Sequence, residues 1–293
     1  MTASKSFLRF QGQLNGSAAR FESQSLPSRS KKQLNTPSAR PFMIAVCNHK
    51  GGVAKTTTCL SLGACLAEMG FSVLLIDLDP QAHLSISLGL NPENLHRTGS
   101  DAFLANNSLI SVSRETNVLG LDIVPANQQL ALVDKVMYGR NEYEFYLKRR
   151  LKALDAGLYD YVLIDCAPAF GTLTLNALTA ADLLIVPVQC EYYAAKSLRS
   201  ILQLTKLIRK KTNAALNYQI VMTMYDRRNR ICRIIREQME NSISHLLFNT
   251  IIEVDTKLRE SPAYAQPITQ YAPETRGATQ YRALAKELLH IGK

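Results

Sequence analysis

No tryptophan occurs in the 293 residues and aromatic side chains make up only 7% of them, so any core must be packed chiefly from aliphatic groups. No stretch approaches the ~20 uninterrupted apolar residues that a helix needs to cross a bilayer, and no transmembrane span is expected. The six cysteines (Cys47, Cys59, Cys65, Cys166, Cys190 and Cys232) are scattered. No two have zinc-ligand spacing and most sit within apolar runs, which argues for small core residues in a reducing compartment. Acidic residues are nearly missing from the N-terminal segment, where Lys5, Arg9, Arg20, Arg29, Lys31, Lys32 and Arg40 face Glu22 alone. A polar, basic segment of this kind buries too little to fold by itself, so residues 1–40 are expected to form a disordered basic arm. Its composition fits a tail with no specific task, a weak contact with DNA, or an Arg/Ser-rich organelle transit peptide. Residues 41–293 are expected to form one α/β domain, and an apolar share of 46% is enough for a sizeable core.

The most informative stretch is Asn48-His49-Lys50-Gly51-Gly52-Val53-Ala54-Lys55-Thr56-Thr57-Thr58. An apolar strand, Phe42–Cys47, runs into it, and an apolar helix, roughly Thr57–Met69, runs out of it. Strand, glycine turn, Lys-Thr pair and helix, in that order, make a phosphate cradle. Gly51 and Gly52 let the backbone fold tightly and aim successive N–H groups at one anion. The first helical turn adds unpaired N–H groups and the positive end of its dipole. Residues Lys50 to Thr57 are the expected nucleotide contacts, with Lys55 on the β- and γ-phosphates and the Thr56 hydroxyl on Mg²⁺. Glycine is absent from positions 49 and 54, where the common Walker pattern places it; His49 and Ala54 stand there instead. If position 54 needs a positive φ, its Cβ costs on the order of 1 kcal/mol; if it is helical, alanine helps.

A second strand, Phe71–Ile76, delivers Asp77-Leu78-Asp79-Pro80-Gln81 to its carboxyl end, where open α/β sheets hold ligands. Spacing of two predicts that both acids point the same way, with Pro80 ending the strand. A further strand is expected over 118–125, and helices over about 128–137 and 142–154. The apolar run Tyr161–Asp165 has the shape of a Walker B strand, which would set Asp165 across from Thr56 at the metal.

The arrangement Lys50-Gly51-Gly52-x-x-Lys55-Thr56, with its early second lysine, resembles the deviant Walker A motif of the ParA/MinD family of P-loop ATPases. The stretch Val186-Pro187-Val188-Gln189-Cys190-Glu191-Tyr192-Tyr193-Ala194 sharpens the resemblance to the ParA/Soj partition branch. Thr223–Arg228, Leu258–Pro267 and the closing Gly277-Ala278 and Leu284–Leu288 extend it over about residues 42–290. Two departures stand out: Cys166-Ala167-Pro168-Ala169 matches the family's Cys-Pro-Pro only in part, and its Ile-Pro-Arg-Asn stretch is missing. Glu253 and Asp255 occupy the places of that Pro and Asn, in a segment that lies near the nucleotide base and dimer face of relatives.

The resemblance implies a doubly wound, mostly parallel α/β sheet with helices on both faces, ATP and Mg²⁺ as cofactors, and a homodimer in the ATP state. It implies that Lys50 reaches the partner subunit's nucleotide, that Asp79 places the attacking water and that Asp77 lies near the metal. It implies slow hydrolysis stimulated by a ParB-like partner, and positioning of plasmid, chromosome or protein cargo. The expected location is the cytoplasm, on the nucleoid, without stable membrane association.

The charge pattern adds an argument of its own. The net charge of +10 points to a polyanionic partner. Between residues 199 and 236, Arg199, Lys206, Arg209, Lys210, Lys211, Arg227, Arg228, Arg230, Arg233 and Arg236 face Asp226 alone. The first four recur on roughly one face of a helix expected from about 191 to 211. Arg230, Arg233 and Arg236, three apart, are expected to form a stripe on the next helix. Basic stripes with no base-reading motif suit sequence-independent phosphate binding; among these cations, Lys206 and Arg228 lie near DNA-binding positions of relatives. Alternatives are a MinD-like membrane-cycling ATPase, which calls for an amphipathic helix beyond Leu289–Lys293, and an ATP-binding adaptor with little turnover. A nitrogenase-type electron carrier would need paired cysteines in Gly-rich loops, a setting neither Cys166 nor Cys190 has.

Overall fold

A computed structural model of the chain describes residues 40–105, 107–191 and 194–291. The arm expected over residues 1–40 lies outside them except for Arg40, whose guanidinium grips the Asp182 carboxylate through two bonds of 2.8 Å.

Among the described residues the strands are β1 (Phe42–Val46), β2 (Val73–Leu78), β3 (Arg114–Glu115), β4 (Leu121–Val124), β5 (Tyr161–Cys166), β6 (Leu183–Gln189) and β7 (Asn217–Thr223). They form one sheet in the order β3-β4-β2-β5-β1-β6-β7. Every neighbouring pair is parallel except β3 and β4, which run antiparallel at the edge. This is the doubly wound, mostly parallel sheet that the sequence implies. Successive side chains of a strand point to opposite faces, and the core divides accordingly. Met43, Ala45, Leu74 and Ile76 pack on one side, while Ile44, Val46, Val73 and Leu75 pack on the other. Covered on both faces, β1 is apolar throughout, and β2 and β5 are free of polar alternation up to Asp77 and Asp165 near their ends.

The helices that bear on the site are α1 (Lys55–Glu68), α2 (His83–Ser87), α3 (Leu130–Met137), α4 (Thr172–Ala180), α5 (Ala194–Lys211), α6 (Arg230–Ile243), α7 (Thr256–Glu260) and α8 (Arg276–Ile291). Residues of α1 and α8 fill the core on one face of the sheet, and residues of α3, α4, α5 and α6 fill it on the other. Gly63 marks the close approach of α1 to the sheet, since a Cβ there would meet Leu75 Cδ2 at 2.7 Å. The hydroxyls of Thr58 on α1 and Tyr281 on α8 bond at 3.0 Å with both residues fully buried. Either hydroxyl left alone there would cost about 1–3 kcal/mol, so the pair fixes how α8 sits on α1. All six cysteines are buried and none forms a disulfide.

Some boundaries differ from expectation. The helix expected from residue 142 begins at Tyr146, after a single tight turn over Tyr143–Phe145. Its start is set from α4: Asn176 Oδ1 accepts from Leu147 N at 2.9 Å while Asn176 Nδ2 donates to the Tyr143 carbonyl at 2.8 Å. No helix among the described residues is long and apolar enough to cross a membrane.

Candidate functional site

Parallel pairing brings the carboxyl ends of β1, β5 and β2 side by side, with Val46 opposite Asp165 and Asp165 opposite Asp77. The glycine loop leaves β1 at this edge. Asn48, fully buried, donates to the Pro187 carbonyl at 2.7 Å and accepts from Lys50 N at 3.1 Å, pinning the loop's start to β6. Gly52 and Ala54 both take left-handed backbone, φ 74° and 65°. Apart from its chain neighbours, no atom of the described residues lies within 4 Å of a Cβ built on Gly51 or Gly52, so the outer side of the loop is uncrowded. Ala54 precedes α1 without a side-chain cap, and the first N–H groups of that helix therefore have no partner within it. The loop thus has what an anion requires: open backbone donors and a helix N-terminus.

Position 54 does need a positive φ, and its Cβ carries the cost of about 1 kcal/mol. Ala54→Gly should raise the unfolding free energy by up to about 1 kcal/mol, read by urea denaturation. No gain would mean that the loop relaxes around the methyl group.

Lys55, at 7% exposure, donates from Nζ to the Lys50 carbonyl at 3.1 Å. Lys50 turns instead toward β6, where its Nζ forms an ion pair with Glu191 and lies 3.4 Å from Gln189 Oε1. The Thr56 hydroxyl donates to Asp165 Oδ2 at 2.7 Å. The other oxygen, Asp165 Oδ1, is buried with no hydrogen-bond partner among the described residues. An orphaned carboxylate oxygen beside a hydroxyl and an anion cradle fits a hard divalent cation.

Asp77 is differently placed. It accepts from Ser85 N at 3.0 Å, Ser85 Oγ at 2.8 Å and Asp79 N at 3.1 Å, so both of its oxygens are engaged by the protein. Burial pushes its carboxyl up to about 6 against the pull of those donors. Burial, then the charge of Asp77, pushes Asp165 well above the usual carboxylate range. Two neighbouring acids in an apolar sheet end are costly as anions, and a bound cation would offset that. Asp79 does not share a strand face with Asp77 as expected. The strand β2 ends at Leu78, and half-buried Asp79 lies in the following turn, where Oδ1 accepts from Gln81 N at 2.9 Å. Period-two spacing holds only while the backbone stays extended.

Three residues of this site escaped the sequence reading. Ser85 supplies two of the donors to Asp77. Thr223 Oγ1 donates to the Val53 carbonyl at 3.1 Å and ties β7 to the loop. Glu191 lay inside the stretch that identified the family branch, but nothing in the sequence marked it as the partner of Lys50. His49, where the common pattern has glycine, rests on the Phe170 ring with centroids 4.7 Å apart.

The basic region splits. Arg199, Lys206, Arg209, Lys210, Arg230 and Arg233 are exposed and form no ion pair with other described residues. Arg227 is held by Glu253 at 2.8 Å, Arg228 by Asp226 at 3.0 Å and Arg236 by Glu240 at 2.7 Å. The expected stripe of Arg230, Arg233 and Arg236 is thus incomplete. Spacing of three rotates each residue about 60° back around a helix of 3.6 residues per turn, and Arg236 ends half-buried over the Tyr225 ring at 5.8 Å. Between residues 199 and 236 Asp226 is the sole acid, and folding brings in Glu240 and Glu253 from outside that span. Between α5 and α6 runs a groove of about 710 Å³ whose lining includes buried Leu198 and Met239 and exposed Arg199 and Lys206.

Comparison with known proteins agrees with this architecture. The family described as AAA domain matches residues 42–218. The chain is 39% identical over 251 residues to the sporulation initiation inhibitor protein Soj of Bacillus subtilis (strain 168), covering 85% of this chain and 99% of that protein. It is 35% identical over 255 residues to the chromosome partitioning protein ParA of Caulobacter vibrioides (strain NA1000 / CB15N), covering 86% of this chain and 96% of that protein. Among solved structures, a cobyrinic acid a,c-diamide synthase from Mycobacterium smegmatis with bound ATP analogue and magnesium superposes with a TM-score of 0.75. The two are 35% identical, with 85% of this chain and 95% of that one covered.

Proposed function

This chain belongs to the ParA/Soj-type P-loop ATPases, and from that premise we propose that it is an Mg²⁺-ATP-dependent positioning ATPase that binds DNA without sequence preference. The observation that carries the ATPase part is the orphaned Asp165 Oδ1 beside Thr56 at the mouth of the glycine loop. Thr56 and Asp165 would hold Mg²⁺, which when bound neutralises phosphoryl charge. Lys55 and the N-terminus of α1 add to that neutralisation, and Asp79, free of the strand, would place the attacking water. Asp77, engaged on both oxygens, would act by fixing α2 and the turn at Asp79. In the ATP state two copies would close on each other, and Lys50 would leave Glu191 for the partner's phosphates. The exposed cations of α5 and α6 from both copies would then grip DNA phosphates. Hydrolysis, accelerated by a ParB-like partner, would release them, and repeated cycles would position a cargo.

The test is binding of the purified full chain to non-specific duplex DNA with no nucleotide, with ADP-Mg²⁺ and with ATP-Mg²⁺, across a salt series. Binding selective for ATP and falling steeply with salt is expected, and Lys50→Ala should remove the ATP-selective increment. DNA binding that ignores nucleotide, or none in any state, would overturn the proposal.

A further inference from the structure

The sheet order decides on which side of the loop a nucleoside must lie. Asp77 and Asp165 stand on β2 and β5, on one side of β1, and Thr56 reaches toward Asp165. The metal end of a triphosphate therefore lies toward β5 and β2. Its nucleoside has to leave the loop the other way, over β6 and β7. On that side the Thr223–Val53 bond anchors the end of β7 against the loop, and Met224 turns the chain with φ 52°. Tyr225 then pairs with a second segment: its N–H donates to the Ile252 carbonyl, and its own carbonyl accepts from Val254 N, both at 3.1 Å. The cleft these segments enclose measures about 400 Å³, and its lining includes Tyr225, Arg227, Glu253, Val254 and Arg276. That volume lies within the range of ligand clefts, roughly 300–1,000 Å³.

Glu253 is the unusual member. Its side chain is 5% exposed, yet it belongs to neither of the helix ends nearby. Asp255, two residues on, is fully accounted for by structure: it accepts from Lys257 N at 2.9 Å and Gly277 N at 2.8 Å, capping the starts of α7 and α8. Glu253 is instead fixed by two arginines from different parts of the chain. Arg227 Nε donates to Oε1 and Arg276 Nη1 to Oε2, each at 2.8 Å, while Arg276 Nη2 donates to the Val254 carbonyl at 3.2 Å. Two guanidinium groups so placed leave the carboxylate little freedom to rotate. A carboxylate accepts only, with about four lone-pair sites; Arg227 Nη2 also pairs with Oε1, so a single site, on Oε2, remains after the arginines. On a purine it can meet an N–H group, and a keto oxygen in the same place would face it lone pair to lone pair.

We infer that Glu253, clamped by Arg227 and Arg276, reads the nucleobase by accepting the exocyclic 6-amino group of adenine. This rests on the nucleotide site proposed above and names the residue that sets its base preference. A site built to accept a substrate N–H discriminates against the analogue lacking it more strongly than an apolar pocket could.

The experiment is equilibrium binding of ATP and of ITP, in which a keto oxygen replaces the 6-amino group, to full-length wild type and Glu253→Gln. Competition against a ribose-labelled fluorescent ADP gives the affinities. Wild type should prefer ATP by about tenfold or more. In Glu253→Gln the arginines take the single amide oxygen and turn the amide N–H toward the base, so the preference should fall below about threefold. An unchanged preference in the variant, or equal affinities in wild type, would overturn the inference while leaving the ATP site intact. If neither nucleotide binds, the nucleotide-site reading falls and this inference with it. Should the variant fail to fold, wild type alone decides by a third ligand, the purine ribonucleoside triphosphate with no 6-substituent. Binding as tight as ATP overturns the role of Glu253, and binding weakened about as much as that of ITP supports it.

Discussion

Asp165→Asn should make the nucleotide-free protein more stable and at the same time abolish its stabilisation by Mg²⁺-ATP. Burial and the nearby Asp77 raise the Asp165 pKa well above its ordinary 3.8, so the folded chain holds that proton where the unfolded chain has released it. The resulting stability is full below about pH 3.8 and declines as the pH rises toward the folded value. Asparagine keeps an oxygen for the Thr56 hydroxyl but carries no charge to bury. A gain of about 1–3 kcal/mol over wild type is expected, larger at pH 8 than at pH 5, because the unfolded wild-type carboxyl releases its proton as the pH rises and asparagine has none to release. Wild type at a nucleotide concentration of 100 Kd should gain about 2.7 kcal/mol from ligand binding, and the variant little. Urea denaturation at the two pH values, with and without Mg²⁺-ATP, reads both effects. A variant less stable than wild type without nucleotide, or one stabilised equally by Mg²⁺-ATP, would remove Asp165 from the metal site.

The second large effect concerns DNA. The triple change Lys206→Glu, Arg230→Glu and Arg233→Glu reverses three exposed cations that have no acidic partner among the described residues. If these groups contact phosphates, affinity for non-specific duplex in the ATP state should fall by two orders of magnitude or more at ~0.1 M salt, and the salt slope by about 0.9 per lost contact. Nucleotide affinity should be unchanged, because none of the three touches the glycine loop. DNA binding that survives with its salt slope intact would make this face an ordinary solvated surface. The choice of positions comes from the fold: Arg227, Arg228 and Arg236, equally basic on paper, are already paired with acids.

Much of the candidate nucleotide site is local chemistry and is legible for that reason. A phosphate loop is one continuous segment, so Gly51, Gly52, Lys55 and Thr56 announce it through spacing alone. The strands announced themselves as apolar runs, because a parallel sheet buried on both faces needs no polar alternation. Asp165 could be placed opposite Thr56 because a strand ending in an acid returns to the same sheet edge. Side-chain partners from distant segments were not legible. The Asn176 cap, the Lys50–Glu191 pair and the Glu253 clamp each join residues far apart in the chain.

The sequence by itself determined the fold class, the phosphate cradle and the excess of positive charge, since all three follow from composition and short-range periodicity. Tertiary structure alone decided which charges remain exposed, which Asp165 oxygen is left unengaged, and which way Lys50 turns. It also decided that position 54 is left-handed and that Asp79 stands off its strand. These depend on what is packed alongside each group, and burial changes the cost of a charge or an unpaired oxygen far more than neighbours in sequence do.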